Sequence, residues 1–256
     1  MERENLSKQK AVEVLKILET GSKEPVGYLN PDKFIQHDLN AADGVEGFEA
    51  LLAELPDSEI RVNIIRLFQD GEYVFAHCEY NLPGPMVGFE ILRFEDGLIV
   101  EHWDNLQETA GPNQDGHTMT DGPVEITDID KASENKELVR NFAEEILVRG
   151  NIDKLEDYFH GDNYIQHNPL MGDGLSGFIK AFEEMAKEGI TFKYDKIHFI
   201  LGEGNFVLLV SEGLFTGSRT AFYDLFRIEN GKIAEHWDVI QAIPPREEWK
   251  NSNGKF

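Results

Sequence analysis

The tetrapeptide Glu101-His102-Trp103-Asp104 recurs as Glu235-His236-Trp237-Asp238, each time inside an apolar run. Side chains of a strand alternate between its faces, so His102 and Asp104 share one face while Glu101 and Trp103 share the other. The same parity sets His236 and Asp238 against Glu235 and Trp237. A carboxylate beside an imidazole fixes its tautomer and readies it for proton transfer, which makes these pairs the first place to look for chemistry.

The match extends outward from the tetrapeptide. Arg93 to Gln107 aligns with Arg227 to Gln241, position 236 on 102, an offset of 134, and nine of these fifteen positions are identical. Upstream, Phe34-Ile35-Gln36-His37-Asp38 aligns with Tyr164-Ile165-Gln166-His167-Asn168, position 167 on 37, an offset of 130, so copy two has gained four residues in between. Asp43-Gly44 and Gly47-Phe48 fall on Asp173-Gly174 and Gly177-Phe178 at the earlier offset. Chance gives about one identity in fifteen, so the chain is an internal duplication, with a period longer than the ~20 to 50 residues of solenoid repeats. The expected organisation is copy one over residues 1–110, a linker over 111–126 rich in Gly, Pro, Asp and Asn, and copy two over 127–256.

Each copy reads as helices followed by strands. In copy two, Leu138, Phe142, Ile146 and Leu147 mark a first helix, Ile152 to Phe159 a short second, and Leu175, Phe178, Ile179, Phe182 and Met185 a third that stops at Gly189. Four β-rich runs follow, near 192–201, 206–216, 219–228 and 233–241, broken by Gly202-Glu203-Gly204-Asn205, Gly217-Ser218 and Asn230-Gly231. Copy one breaks its runs at Asp70-Gly71, Pro83-Gly84-Pro85 and Asp96-Gly97. Short breaks imply an antiparallel meander, and helices before a meander are an α+β pattern.

Composition narrows the function classes. Asp and Glu outnumber Lys and Arg by 48 to 24, for a formal charge of -24; such a surface repels phosphate backbones and anionic lipid, so no nucleic-acid or membrane partner is expected. Apolar residues make up 41% of the chain, without a run approaching the ~20 residues of a membrane span. The charged start lacks a signal-peptide pattern and the single cysteine, Cys78, excludes an intrachain disulfide, which together suggest a cytoplasmic location. Cys78 lies in an apolar run and is read as core filler. There is no Gly-rich phosphate loop, nucleophile elbow or Cys-based zinc pattern, so no cofactor is expected.

The run Tyr-Ile-Gln-His-Asn-Pro at 164–169, the run Arg-Ile-Glu-Asn-Gly-Lys-Ile-Ala-Glu-His-Trp-Asp at 227–238 and the Asn-Gly-Lys-Phe ending resemble the SnoaL-like polyketide cyclase group. Gly116-His117-Thr118-Met119 and Asp121-Gly122-Pro123 are similar to segments of tandem members described as predicted aldol-condensation-catalysing enzymes. The resemblance spans nearly the whole chain. It implies two nuclear-transport-factor-2-like (NTF2-like) cones, each of three helices wrapped by a curved antiparallel sheet around a pocket, packed sheet to sheet as an intramolecular pseudo-dimer. It also implies cofactor-independent acid/base chemistry, with Asp104 and Asp238 as counterparts of the group's pocket carboxylate. Copy one departs from the pattern with Asp38 where Asn168 stands and Leu39 where Pro169 stands, which favours copy two as the site.

The candidate catalytic residues are therefore His167, His236 and Asp238, with His37, His102 and Asp104 in copy one. In this reading His236 takes a proton next to the carbonyl of a small substrate, Asp238 orients the ring and His167 meets the enolate oxygen. Three alternatives stay open. The cluster orients a ligand in a non-catalytic binding module; His167, His236 and Asp238 form a two-His-one-carboxylate metal site; or each His-Asp pair merely ties down its strand. Trp103 and Trp237 face away from the pocket by parity and are expected to pack between sheets. Arg93 and Arg227 read as rim residues, Glu79 and Glu212 as extra acid/base groups or solvated ones. His117 reads as a solvated loop residue, unless its segment folds over a cavity mouth.

Overall fold

A computed structural model describes residues 2–55, 59–82 and 84–256, without the side chains of residues 2–5. Pro83 of the expected turn at 83–85 lies outside the described residues. The chain divides into two compact units, one of residues 1–108 with 244–256 and one of residues 109–243. The segment expected to be a linker is thus part of the second unit, and the chain's last thirteen residues count with the first.

In the first unit, α1 (Glu2–Leu15) and α2 (Ile17–Thr20) precede β1 (Ile35–Gln36) and α3 (Gly44–Glu54). A meander of β2 (Val62–Asp70), β3 (Tyr73–Asn81), β4 (Pro85–Glu95) and β5 (Leu98–Glu108) completes it. The sheet order is β1-β5-β4-β3-β2, antiparallel apart from the β1-β5 edge. The second unit repeats the plan with α4 (Ala132–Phe142), β6 (Ile165–Gln166), α5 (Gly174–Lys187), β7 (Phe192–Glu203), β8 (Phe206–Phe215), β9 (Ser218–Glu229) and β10 (Lys232–Ala242). Its order, β6-β10-β9-β8-β7, is the same. This is the expected mix of helices and antiparallel meanders. The expected second helix of copy two is only a 3-10 turn over Ile152–Asp157. Among the described residues, no helix is long and apolar enough to cross a membrane.

Two local features aim the last strand. Asp96-Gly97 and Asn230-Gly231 hold φ values of 51° and 80°, and 51° and 72°, the left-handed pair that matches the twist of a two-residue hairpin. One residue before the tetrapeptide, the register slips between Arg93 and Phe94 against β5, and between Ile233 and Glu235 against β9. This bulge inserts Val100 or Ala234 as an extra residue, and the parity of everything downstream is set by it. Helices then close the inner face. In the first unit Val14, Leu15, Phe34 and Phe48 pack on Val74, Ala76, Leu92 and Ile99. In the second Val139, Phe142, Ile146 and Leu175 pack on Val207, Leu209, Phe226 and Ile233.

Gly213 shows how tightly β7 and β8 approach, because a Cβ there would lie 1.8 Å from the Lys193 carbonyl oxygen. Gly213→Ala must push the two strands apart. A loss on the order of 1–3 kcal/mol is expected, read as a lower urea midpoint at an unchanged m-value.

Candidate active site

The site begins with the two-residue strand β1. It pairs in parallel with β5, Gln36 opposite His102, and the Gln36 side chain follows the His102 ring to the inner face. The amide oxygen of Gln36 accepts the Asp38 N–H at 3.0 Å, which fixes the amide's orientation, and also faces His102 Nδ1 at 2.9 Å. On its other side, His102 Nε2 faces Glu90 Oε2 at 2.8 Å. Glu90 is the residue opposite Asp104 in the β4-β5 register, and its other oxygen accepts the Tyr80 hydroxyl at 2.7 Å. Asp38 accepts the Asn40 N–H at 2.8 Å. Asp104 lies 3.2 Å from the ammonium of Lys255, which is only 5% exposed.

These groups form the polar end of an apolar cavity of about 160 Å³, whose walls include Leu15, Leu18, Phe48, Leu51, Leu55 and Leu92. Burial and the neighbouring Asp104 charge push the Asp38 carboxyl up to about 6, against smaller opposing effects of the Asn40 N–H, Lys255 and His102. Burial pulls His102 down, but its hydrogen bond to Glu90 and the charges of Glu90, Asp104 and Asp38 outweigh this and leave it raised. Both ring nitrogens face oxygen atoms, a setting that favours the doubly donating, protonated ring. Burial holds the Tyr80 hydroxyl far above its ordinary range, so it remains a donor. The Cys78 thiol, fully buried, is likewise pushed up, in keeping with core filler.

The second unit has the same skeleton with different walls. Gln166 sits opposite His236, its oxygen accepting the Asn168 N–H at 2.9 Å and facing His236 Nδ1 at 2.9 Å. His236 Nε2 faces Asp224 Oδ1 at 3.0 Å, and the Asn168 amide donates to Asp238 at 2.6 Å. Burial raises Asp238 to about 6, opposed by His236, reinforced by Asp224 and opposed again by Asn168. His236 is raised, burial being outweighed by its Asp224 hydrogen bond and the charges of Asp238 and Asp224. Among the described residues, Oδ2 of Asp224 and Oδ1 of Asp238 are buried without a hydrogen-bond partner. The cavity here is only about 30 Å³, because Phe142, Phe159, Phe178, Phe182, Phe192 and Phe226 fill the space.

The structure brings His102 with Asp104, and His236 with Asp238, to the inner face, as alternation requires. It does not bring His37 or His167 to them. Following β1, His37 turns to the outer face and stacks on Trp103 at 4.7 Å, with Nε2 3.0 Å from Glu101 and Nδ1 2.8 Å from the Gly254 carbonyl. His167 stacks on Trp237 at 4.6 Å and faces Glu235 at 2.8 Å. Consequently the enolate role expected of His167, and the metal trio of His167, His236 and Asp238, are not assembled. Nor does Asp238 orient His236, since Asp224 does. Arg93 and Arg227 hold Glu101 and Glu235 at 2.8 and 2.7 Å. Glu79 accepts from Asn63, and Glu212 pairs with Arg219. His117 is half-buried and tied to the unit, its Nε2 3.1 Å from Asp173.

Sequence reasoning missed Gln36, Gln166, Glu90, Asp224 and Lys255. Gln36 and Gln166 stand in the run already matched between the copies, and Glu90 and Asp224 align at the offset of 134 as an acid in each copy. Lys255 reaches Asp104 from the far end of the chain, and its one signal is its place in the Asn-Gly-Lys-Phe ending.

Residues 139–236 match the family model of the SnoaL-like domain. No curated protein matches the chain. Among solved structures, TsrD from Streptomyces laurentii is similar at 18% identity over 40% of this chain and 89% of its own, with a TM-score of 0.36. A putative ketosteroid isomerase from Kribbella flavida is similar at 18% identity over 42% of this chain and 82% of its own, TM-score 0.37. A putative polyketide cyclase from Bacillus cereus is similar at 20% identity over 40% of this chain and 74% of its own, TM-score 0.36.

A carboxyl raised on folding stabilises the fold through its protonated form. That contribution is fully present below the ordinary value of 3.8 and is lost as pH rises through about 6. Asp238→Asn, neutral at every pH, is therefore expected to be more stable than the parent at pH 8, by up to about 3 kcal/mol, with the difference vanishing towards pH 4. Thermal melts of both proteins across that range measure it.

Proposed function

We propose, from the match of residues 139–236 to the SnoaL-like domain, that the chain is a cofactor-independent acid/base enzyme acting on a small, largely apolar carbonyl compound. The chemistry is of the cyclase or isomerase kind, an aldol-type closure or a proton shift. The observation that carries this reading is the first unit's cavity: apolar walls around about 160 Å³, ending in a carboxyl pushed up to about 6. A base is most effective when its pKa lies near the working pH, and apolar walls with a few polar groups are what orients such a substrate.

The base in this proposal is Asp38 rather than His102, whose ring nitrogens are both occupied by Gln36 and Glu90. Asp38 takes the proton α to the carbonyl, and the electron pair of the broken C–H bond moves into the enolate. The cations nearest the polar end, Lys255 beside Asp104 and the imidazolium of His102, favour the negative charge as it develops on oxygen. Asp38 then returns its proton to carbon or, after attack of the enolate carbon on a second carbonyl, to the new alkoxide. Placing the reaction in the first unit departs from the preference for copy two that its Asn168-Pro169 pattern suggested. The reason is room, since the aromatic rings of the second unit leave about 30 Å³.

Proton abstraction can be read without knowing the physiological substrate. In D2O, the full chain is expected to exchange the α-protons of some members of a panel of small apolar ketones above the buffer rate, followed by NMR. Asp38→Asn should lower that rate about 10²- to 10⁴-fold without loss of melting temperature, and Asp238→Asn should leave it unchanged. Binding of ketones without exchange would mark a binding module instead. Exchange that survives Asp38→Asn would remove Asp38 as the base.

A further inference from the structure

On the outer face of the second unit, two histidines and an aspartate turn toward one another. His167 Nδ1 lies 2.8 Å from Asp121 Oδ1 and 2.8 Å from the Thr118 carbonyl oxygen, and His117 Nδ1 lies 3.5 Å from Asp121 Oδ2. One ligand atom from each of the three side chains falls within 4.8 Å of the others. What distinguishes this group from an ordinary polar cluster is the far side of each ring. His167 Nε2 faces Glu235 at 2.8 Å, and Glu235 is itself held by Arg227 at 2.7 Å. His117 Nε2 faces Asp173 at 3.1 Å. Both rings therefore have their outer nitrogen on a carboxylate and their inner nitrogen aimed at a shared point, the carboxylate–histidine pattern that orients metal ligands.

We infer that His117, His167 and Asp121, joined by the Thr118 carbonyl, bind one divalent first-row transition-metal ion such as Zn²⁺ or Co²⁺. Two imidazoles and a carboxylate suit such ions; metal–ligand distances of about 2.0–2.2 Å set tetrahedral ligand atoms about 3.3–3.6 Å apart, so the 3.5 Å between His117 and Asp121 already fits and the two 2.8 Å contacts of His167 must open by about half an ångström. The movable partners are the exposed ones. His167 is 1% exposed and fixed by Trp237, whereas His117 and Asp121 are 29% and 43% exposed and open to water. The backbone already holds the segment down, because the Trp237 indole donates to the Asp121 carbonyl at 2.9 Å. A Cβ on Gly122, at φ +91°, would stand 2.5 Å from Glu235, so only glycine permits that approach. The ion would clamp residues 117–121 onto the last strand. It lies on the face of β10 opposite His236 and Asp238, so this site is independent of the acid/base reading. It is also a different ligand set from the one the sequence suggested.

The test is a titration of the full chain, stripped with chelator, with Co²⁺ and then Zn²⁺, in moderate salt with excess Mg²⁺ to suppress loose binding by the acidic surface. Expected are one saturable equivalent, visible d–d absorption for Co²⁺, and a higher melting temperature with Zn²⁺. His117→Ala and the isosteric Asp121→Asn should each weaken binding at least about 10-fold, Asp173→Asn about 10-fold, and His160→Ala, an exposed histidine elsewhere in the unit, not at all. Far-UV circular dichroism checks that the variants fold, and if His117→Ala does not, Asp121→Asn decides alone. The absence of a saturable equivalent, or one that Asp121→Asn leaves intact, overturns the inference.

Discussion

The buried polar cluster of each unit depends on a parallel pairing only two residues long. Ile35-Gln36 against Glu101-His102, and Ile165-Gln166 against Glu235-His236, add a fifth strand to each sheet at its last edge. The pairing places a glutamine side chain beside a histidine on the inner face and sends the next residue, itself a histidine, to the outer face beside a tryptophan. Because the side-chain period is two, a slip of one residue would exchange the two environments and put the His37 or His167 ring into the cavity. The bulge at Val100 and Ala234 is the matching constraint on the other strand, so the register is fixed from both sides.

Given that register, the two units diverge most clearly at the residue paired with Asp104 or Asp238, Asp38 in one and Asn168 in the other. In the second unit Asn168 donates to Asp238, so a neutral amide meets one oxygen of the buried carboxylate. In the first unit the same place holds Asp38, which has no such proton to give when ionised. Two carboxylates, Asp38 and Asp104, then face each other's charge in a buried setting. Lys255 offsets this from the end of the chain, at 3.2 Å from Asp104, and burial with the Asp104 charge still leaves Asp38 raised to about 6. A tuned carboxyl beside a cation is what the unit gains from losing the amide. The walls diverge in parallel, Leu92 standing where Phe226 fills the second unit.

The sequence disclosed the elements that carry their own physical signal. Periodicity marked α3 and α5, and Asp96-Gly97 and Asn230-Gly231 marked hairpins because only a left-handed pair fits there. The duplication located the tetrapeptide, and alternation placed its side chains on the right faces. It failed where position depends on a partner remote in sequence. Nothing local in Phe34-Ile35-Gln36-His37 announces a parallel edge strand, and without that strand the expected union of His167 with His236 looked as plausible as their separation by the sheet. Lys255 was missed and His117 read as solvated for the same reason, since irregular segments reveal their composition but not the surface they cover.

Those two segments show why irregular sequence is not spare sequence here. The first unit is completed by residues that follow β10, with Asn253 donating to the Gln36 carbonyl and Asn251 to the Asp38 and Ala41 carbonyls. The second is completed by residues that follow β5, with Asn113 donating to the Gln166 carbonyl. In each case the segment after one copy's last strand is built into the unit of the other copy. A buried carbonyl without a donor costs on the order of 1–3 kcal/mol, so each of these segments stabilises the edge strand it covers. Neither unit, cut at the end of its last strand, contains all the groups that satisfy its own site, and in the first unit Lys255 beside Asp104 makes that dependence chemical as well as structural.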